Sequence, residues 1–286
     1  MSNATPTAIL FPGQGSQRDG MRETVEQHAP ELLELAIDQI GSDPFARIKD
    51  GTAFQQPALY CASVAGWRAG GSPDAEFIAG HSLGELAAAA ASGAITAEDG
   101  LSLAISRGRA MQDAAEADPG GMLAVLGECD GTAVLASSLG LTVANDNAPD
   151  QIVLSGPADA IAEARRKFRE AGVRTVRLPV AGAFHSPAMV AAQTGFGEAL
   201  SRIEIHEPRT TLLSSVTTLP FADLRGGLLS ALTRPVRWRE TVIALRGHGV
   251  TRFLESGPGD VLSGLVARIV DDVEAGPLES AGAHNA

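Results

Sequence analysis

The sequence predicts an α/β fold, a parallel sheet covered by helices, with a small ferredoxin-like unit inserted into it. Three observations carry that reading. Short apolar runs alternate with stretches of helical spacing in the first 117 residues and again after residue 184. Between them, from "DPGG" (118–121) onward, the rhythm changes to a β-α-β-β-α-β order. The turn "AGHSLGELAAAAASG" (79–93) joins an apolar strand to an alanine-rich helix through two glycines that flank a serine.

The elements follow in order. "TAILF" (7–11) reads as a buried strand that runs into the glycine-punctuated loop "PGQGSQ". Residues 30–40 have helical apolar spacing, with Pro30 suited to a first turn, and residues 57–69 read as a helix opened by Pro57. "EFIAGH" is a second buried strand, and the helix after the serine turn ends at Gly93. A further helix starts near Thr96, where "TAED" forms a capping box, and runs past Met111.

In the inserted unit, "MLAVL", "LTVAN", "QIVLS" and "VRTVRLPV" are strands, while "GTAVLASSLG" and "ADAIAEARRKFREAG" are helices. The larger unit then resumes with helices from Pro187, Pro235 and about Pro258 and strands at "TTLLSSV" and "TRFLES". The domains expected are therefore 1–118 with 184–270, and 119–183. Residues 271–286, acidic and unpatterned, are expected to be a frayed tail.

Composition excludes some functions. The chain has 286 residues and a formal net charge of −12, with lysine only at Lys49 and Lys167. That argues against a nucleic-acid binder and against an anionic membrane surface. No apolar run is long enough to span a bilayer, and the N-terminus reads as free of a secretory signal. Cys61 and Cys129 make no metal-ligand pattern, and reduced thiols in a cytoplasmic protein are expected.

The serine turn carries the chemistry. A serine hydroxyl needs a base to take its proton and donors to hold the oxyanion formed on attack. Gly80, Ser82 and Gly84 match Gly-x-Ser-x-Gly, which exposes the hydroxyl and aims the Leu83 N–H at a substrate oxygen. On that motif alone, a glycine-rich turn without chemistry stands level with a nucleophile. Among six histidines, His81 adjoins the serine and is expected to point away from it and pack. His28, His206, His248 and His284 lie in polar, loop or tail contexts. His185, at a strand end in "VAGAFHSPAM", is the best-placed base, with an ordinary loop histidine as the competing reading.

Four stretches in order, "FPGQGSQ" (11–17), "GHSLGE" (80–85), "GAFHSPAM" (182–189) and "PVRW…ESGPGDVLSGL" (235–265), resemble the malonyl-CoA:acyl carrier protein transacylases and the acyltransferase domains of polyketide synthases. The resemblance implies an α/β-hydrolase-like large domain around the ferredoxin-like insert. It implies Ser82 as acyl-carrying nucleophile, His185 as its base, and the backbone N–H groups of Gln14 and Leu83 as oxyanion donors. It implies that Arg107 grips the free carboxylate of the acyl group, which a planar guanidinium can pair bidentately. A backbone carbonyl at Ala231, where relatives often carry Gln, would orient His185. Phe184 beside the acyl group implies preference for malonyl over methylmalonyl, and Asn147 a substrate contact.

The resemblance further implies malonyl-CoA as substrate, an acidic, phosphopantetheinylated acyl carrier protein as partner, and no bound cofactor or metal. Gln17 and Glu85 are expected to be structural. Arg166 and Arg169, on the outer face of a helix, read as a solvated face rather than a carrier-docking patch. Two other functions compete. One is a serine hydrolase of the patatin-like kind, which pairs serine with aspartate and for which Asp130 is the candidate. The other is a non-enzymatic docking subunit that has kept the motif.

Overall fold

The computed structural model describes residues 5–127 and 130–278. In its first part, β1 (Thr7–Phe11), α1 (Met21–His28), α2 (Pro30–Ile40), α3 (Thr52–Ala69), β2 (Phe77–Gly80), α4 (Gly84–Ser92) and α5 (Ala97–Ala117) succeed one another. The inserted unit follows as β3 (Gly120–Leu126), α6 (Thr132–Ser138), β4 (Thr142–Ala148), β5 (Gln151–Pro157), α7 (Ala158–Glu170) and β6 (Arg174–Arg177). The chain then returns through α8 (Ala192–Arg202), β7 (Thr211–Leu213), α9 (Leu224–Ser230), α10 (Trp238–Gly247), β8 (Arg252–Glu255), α11 (Val261–Ile269) and β9 (Glu274–Pro277).

The first and last parts share a five-stranded sheet in the order β7-β2-β1-β8-β9, with every neighbouring pair parallel. All five residues of β1 are buried, because helices cover both faces of the sheet. Ile9 and Phe11 face a core shared with α1–α5, α8 and α9, whereas Ala8 and Leu10 face Trp238, Val242 and Leu265 of α10 and α11. Phe11 pairs with Gly80, and Leu10 with Glu255, so the loops after β1, β2 and β8 emerge at one carboxyl edge. The chain leaves β1 towards β2 on one side and adds β8 on the other. A crevice at such a point of reversal is the usual ligand site of an open α/β sheet.

The inserted strands form a separate four-stranded antiparallel sheet, β4-β5-β3-β6, with its own core of Leu123, Val125, Leu154, Ile161 and Phe168. It is fastened to the rest by main-chain bonds from Val236 N–H to the Ala144 carbonyl (2.8 Å) and from Asp146 N–H to the Val236 carbonyl (2.9 Å). An Arg239–Asp146 ion pair at 2.8 Å adds to them.

The structure corrects several expectations. α3 starts at Thr52, not Pro57; Pro57 sits in its second turn, where the absent N–H costs one early bond. The helices expected at Pro187, Pro235 and Pro258 begin at Ala192, Trp238 and Val261, with a short 3-10 turn at Pro187–Met189. α1 and α9 were not expected; each buries only two side chains, Met21 and Val25 in one and Leu224 and Leu228 in the other, too few for a clear period. Residues from 271 onward are not simply a frayed tail. β9 pairs parallel with β8, and Leu278 fills the space over Gly70, where a Cβ would lie 2.5 Å from its Cγ. Residues 279–286, with His284, and Cys129 lie outside the described residues. Among the described residues, no helix is long and apolar enough to cross a membrane.

Candidate active site

The serine turn is built by close backbone approach. His81 N–H bonds the Phe11 carbonyl at 2.9 Å, and Gly84 N–H bonds the His81 carbonyl at 3.0 Å. A Cβ at Gly80 would lie 2.1 Å from the Gly84 carbonyl carbon, and a Cβ at Gly84 only 2.0 Å from the Phe11 carbonyl oxygen. Both glycines of the motif are thus required by packing. Ser82 between them has φ +53°, left-handed for a non-glycine residue, which lifts its hydroxyl clear of the turn. α4 starts two residues later and directs its positive end at the same region. Neither the Leu83 N–H nor the Gln14 N–H has a hydrogen-bond acceptor among the described residues.

His185 reaches Ser82 from 103 residues further along the chain, with Ser82 Oγ and His185 Nε2 2.7 Å apart. It too is left-handed, with φ +58°. Its Nδ1 lies 2.9 Å from the Ala231 carbonyl and 3.1 Å from the Arg234 carbonyl. Carbonyls only accept, so Nδ1 carries the proton and Nε2 is left to accept from Ser82. Burial, reinforced by the nearby charge of Arg107, pushes the His185 pKa down to about 3, so the ring is neutral at neutral pH. Both contacts are to main-chain carbonyls, so the side chain at position 231 takes no part in them.

Arg107, on α5, comes up beneath the serine. It is 3% exposed; Nη2 donates to Ser82 Oγ at 3.1 Å and Nη1 to Gln56 Oε1 at 2.7 Å. Burial lowers its pKa to about 10, which leaves it charged at neutral pH. No carboxylate pairs with it within 4 Å among the described residues. Glu85 acts on it from further off. That carboxyl is buried and accepts from the Ser215 N–H (2.8 Å) and hydroxyl (2.9 Å), and desolvation raises its pKa to about 7. Gln56 was not among the sequence candidates; a glutamine ahead of Pro57 carries no local sign of its partner.

Ser82 and His185 open into a cavity of about 190 Å³ whose walls include Gln14, Gln55, Met122, Asn145, Val180 and Phe184, while Arg107 lies behind Ser82, off the cavity wall. Gln14 is held by its side chain, which donates to Gln55 Oε1 at 2.6 Å. One expectation changes here. Asn147 is not on the cavity wall; its Oδ1 accepts from His81 Nε2 at 2.8 Å, and Asn145, two residues earlier on β4, faces the cavity. His81 contributes to the cavity lining, and its ring packs 5.4 Å from Trp238.

The remaining candidates lie apart from the cavity. Arg166 is neutralised by Glu163 and Glu170. His206 is near Glu204, His248 stacks on Phe77, and Asp130 is exposed on the insert. No group of three or more His, Cys, Asp or Glu side chains that could hold a metal occurs among the described residues.

Comparison with known proteins agrees with this geometry. Residues 9–258 match the acyl transferase domain family. The polyketide biosynthesis protein ThaF of Burkholderia thailandensis is 40% identical over 280 residues; the match takes in 92% of this chain, which spans about a quarter (24%) of ThaF. The malonyl CoA-acyl carrier protein transacylase of Salmonella typhimurium is 35% identical over 305 residues, covering 99% of this chain and 98% of that one. The crystal structure of the malonyl-CoA:acyl carrier protein transacylase of Xanthomonas oryzae superposes with a TM-score of 0.89 at 36% identity, over 98% of this chain and 96% of the other. A catalytic-looking elbow, an α/β architecture of one parallel and one antiparallel sheet, and similarity along almost the whole length converge, and the chain belongs to the acyl transferase domain family.

Proposed function

We propose that the chain moves a malonyl group from malonyl-CoA to the phosphopantetheine thiol of an acyl carrier protein through an acyl-Ser82 intermediate. The observation that carries this reading is the convergence on one oxygen: Ser82 Oγ lies 2.7 Å from a neutral, main-chain-oriented imidazole and 3.1 Å from a buried guanidinium.

In the first half-reaction His185 Nε2 takes the Ser82 proton as Oγ attacks the thioester carbonyl. The oxyanion sits against the Gln14 and Leu83 N–H groups. Collapse breaks the C–S bond, and His185 returns its proton to the CoA thiolate. In the second half-reaction the carrier's thiol gives its proton to His185 and attacks the acyl ester; the C–O bond breaks and Ser82 recovers the proton. Arg107 meets the acyl group's own carboxylate. Because this charge lies within hydrogen-bond reach of the nucleophile, it suits a carboxylate one methylene from the reacting carbonyl. Phe184, on the cavity wall, crowds a branch at that methylene.

The partner reading rests on charge placement. The chain is strongly acidic overall, yet Arg174 and Arg177 are exposed on edge strand β6, without an ion pair among the described residues. Leu178 and Val180, immediately beyond, line the cavity. An acidic carrier would be steered to this edge. The architecture is taken as an α/β-hydrolase-like domain of residues 1–118 and 184–270 around a ferredoxin-like domain of residues 119–183. The scheme needs no cofactor. The unpaired, buried Cys61 thiol is in keeping with a cytoplasmic setting.

The test is incubation with labelled malonyl-CoA followed by intact-mass analysis and addition of a phosphopantetheinylated carrier protein. Label on Ser82 that passes to the carrier is expected. No label on the serine, or label lost to water at the same rate with and without carrier, overturns the reading.

A further inference from the structure

Gln14 supplies one of the two N–H groups read above as oxyanion donors, and it stands between two glycines. Gly13 lies against the elbow, where a Cβ would come within 2.6 Å of the His81 carbonyl oxygen. Gly15 has a left-handed φ of +102°, and a Cβ there would meet nothing within 4 Å. Glycine backbone is the least restricted of all, so an N–H between two glycines needs an outside anchor to keep one direction. The side-chain bonds of the next residues stay within the loop. Ser16 Oγ donates to the Gly13 carbonyl at 2.8 Å, and the Gly15 N–H donates to Gln17 Oε1 at 2.6 Å.

The anchor comes from α3. Gln14 Nε2 donates to Gln55 Oε1 at 2.6 Å, and Gln14 Oε1 accepts from Thr52 Oγ1 at 3.2 Å. Thr52 and Gln55 are three apart on the helix and share a face, so the amide of Gln14 is held at both ends. Gln14 and Gln55 line the catalytic cavity and also a second hollow of about 290 Å³ bounded by Lys49, Thr52 and Gln112. Their bridge is therefore part of the partition between the two. A donor acts on a developing oxyanion only when it is aimed beforehand, and this bridge fixes the aim of the residue that carries the donor.

We propose that Gln55 is a positioning residue for the reaction: through its bridge to the Gln14 side chain it aims the Gln14 N–H at the oxyanion formed on the acyl carbonyl. This rests on the reading of that N–H as an oxyanion donor. Gln55 makes no hydrogen bond to Ser82, His185 or Arg107 among the described residues. Loss of the bridge therefore slows acylation by carboxylated and uncharged acyl groups alike, and it does so in the transition state rather than in binding.

The experiment measures single-turnover acylation of Ser82 by malonyl-CoA and acetyl-CoA. It also records the infrared carbonyl stretch of the acyl-Ser82 ester formed from thioesters labelled with carbon-13 at the carbonyl. The native protein is compared with Gln55→Met, Gln14→Met, the double variant and Gln55→Glu. Methionine keeps the bulk of the partition and the main-chain N–H of residue 14 while removing the bridge; glutamate keeps an acceptor for Gln14 Nε2. Each methionine variant is expected to lower the maximal acylation rate about tenfold with both substrates, with KM staying within about twofold of native. Each is also expected to move the carbonyl stretch to higher frequency as the donor swings away. The double variant is expected to lose no more than about twofold beyond the worse single one, because one bridge can be cut only once. Gln55→Glu is expected to recover most of the rate and the native band. A merely structural glutamine would leave the carbonyl band in place and give losses that multiply in the double variant. Either of those results overturns the proposal, as does a loss confined to one substrate. Gln14→Met decides it even if Gln55→Met does not fold. If native Ser82 takes up no acyl group at all, the function proposed above fails. A native protein that acylates while its methionine variants keep the native band fails the bridge alone.

Discussion

The parallel sheet supplies Ser82 and the elbow N–H groups from its carboxyl edge, whereas the antiparallel sheet supplies Met122 and Asn145 and, just past its edge strand, Leu178 and Val180. The first contribution is fixed by backbone. Two glycines admit no Cβ, Ser82 and His185 sit at left-handed φ, and the histidine is oriented by two carbonyls. The second is a set of side chains on a unit with its own small core. The comparison separates an elbow fixed by main chain, with Arg107 of α5 beneath it, from a wall made of side chains drawn from both units. Wall residues can change without disturbing the elbow, but the elbow's glycines cannot.

That division can be broken by experiment. His185→Ala is expected to slow Ser82 acylation by roughly 10²–10⁴-fold for malonyl-CoA and acetyl-CoA alike, measured by intact mass under single turnover; an activity above a tenth of native would place the base elsewhere. Arg107→Ala is expected to cost about 2–5 kcal/mol in malonyl transfer, the cost of leaving a buried charge unpaired, and much less with acetyl-CoA. Equal losses on both substrates would move Arg107 from substrate seat to scaffold.

Gly84→Ala tests the backbone half directly. Its Cβ would press on main chain, and a loss of about 1–3 kcal/mol in chemical denaturation is expected, with acylation falling as the elbow shifts. Phe184→Ser tests the wall. It is expected to raise methylmalonyl use relative to malonyl by about 1–3 kcal/mol, with the melting curve changed less than in Gly84→Ala.

The smallest effect concerns Glu85. Its carboxyl has a pKa of about 7 in the fold against 4.5 for the free side chain, so it contributes stability that is present below pH 4.5 and lost as pH rises through 7. His185, with its pKa lowered, acts in the opposite sense: its stability is lost as pH falls from 6.5 towards 3. Glu85→Gln keeps an acceptor for Ser215 and removes only the first effect. The drop in melting temperature between pH 5 and pH 8 is therefore expected to be smaller in Glu85→Gln than in the native protein, and a larger drop would contradict the assignment.

The sequence by itself determined what depends on near neighbours. The alternation of elements, the β-α-β-β-α-β order and the Gly80-Ser82-Gly84 turn were legible because each is set by periodicity or turn chemistry within a few residues. Arg107 was legible only through the resemblance, because a helix arginine carries no local mark of burial. The tertiary structure alone decided that Asn147 serves His81 while Asn145 faces the cavity, that His81 lines the site, that Gln56 holds the guanidinium, and that the chain's last described residues close an edge of the sheet as β9. Each of these is a contact between segments far apart along the chain. Packing of whole layers brings such segments together, and their spacing in sequence sets no distance between them.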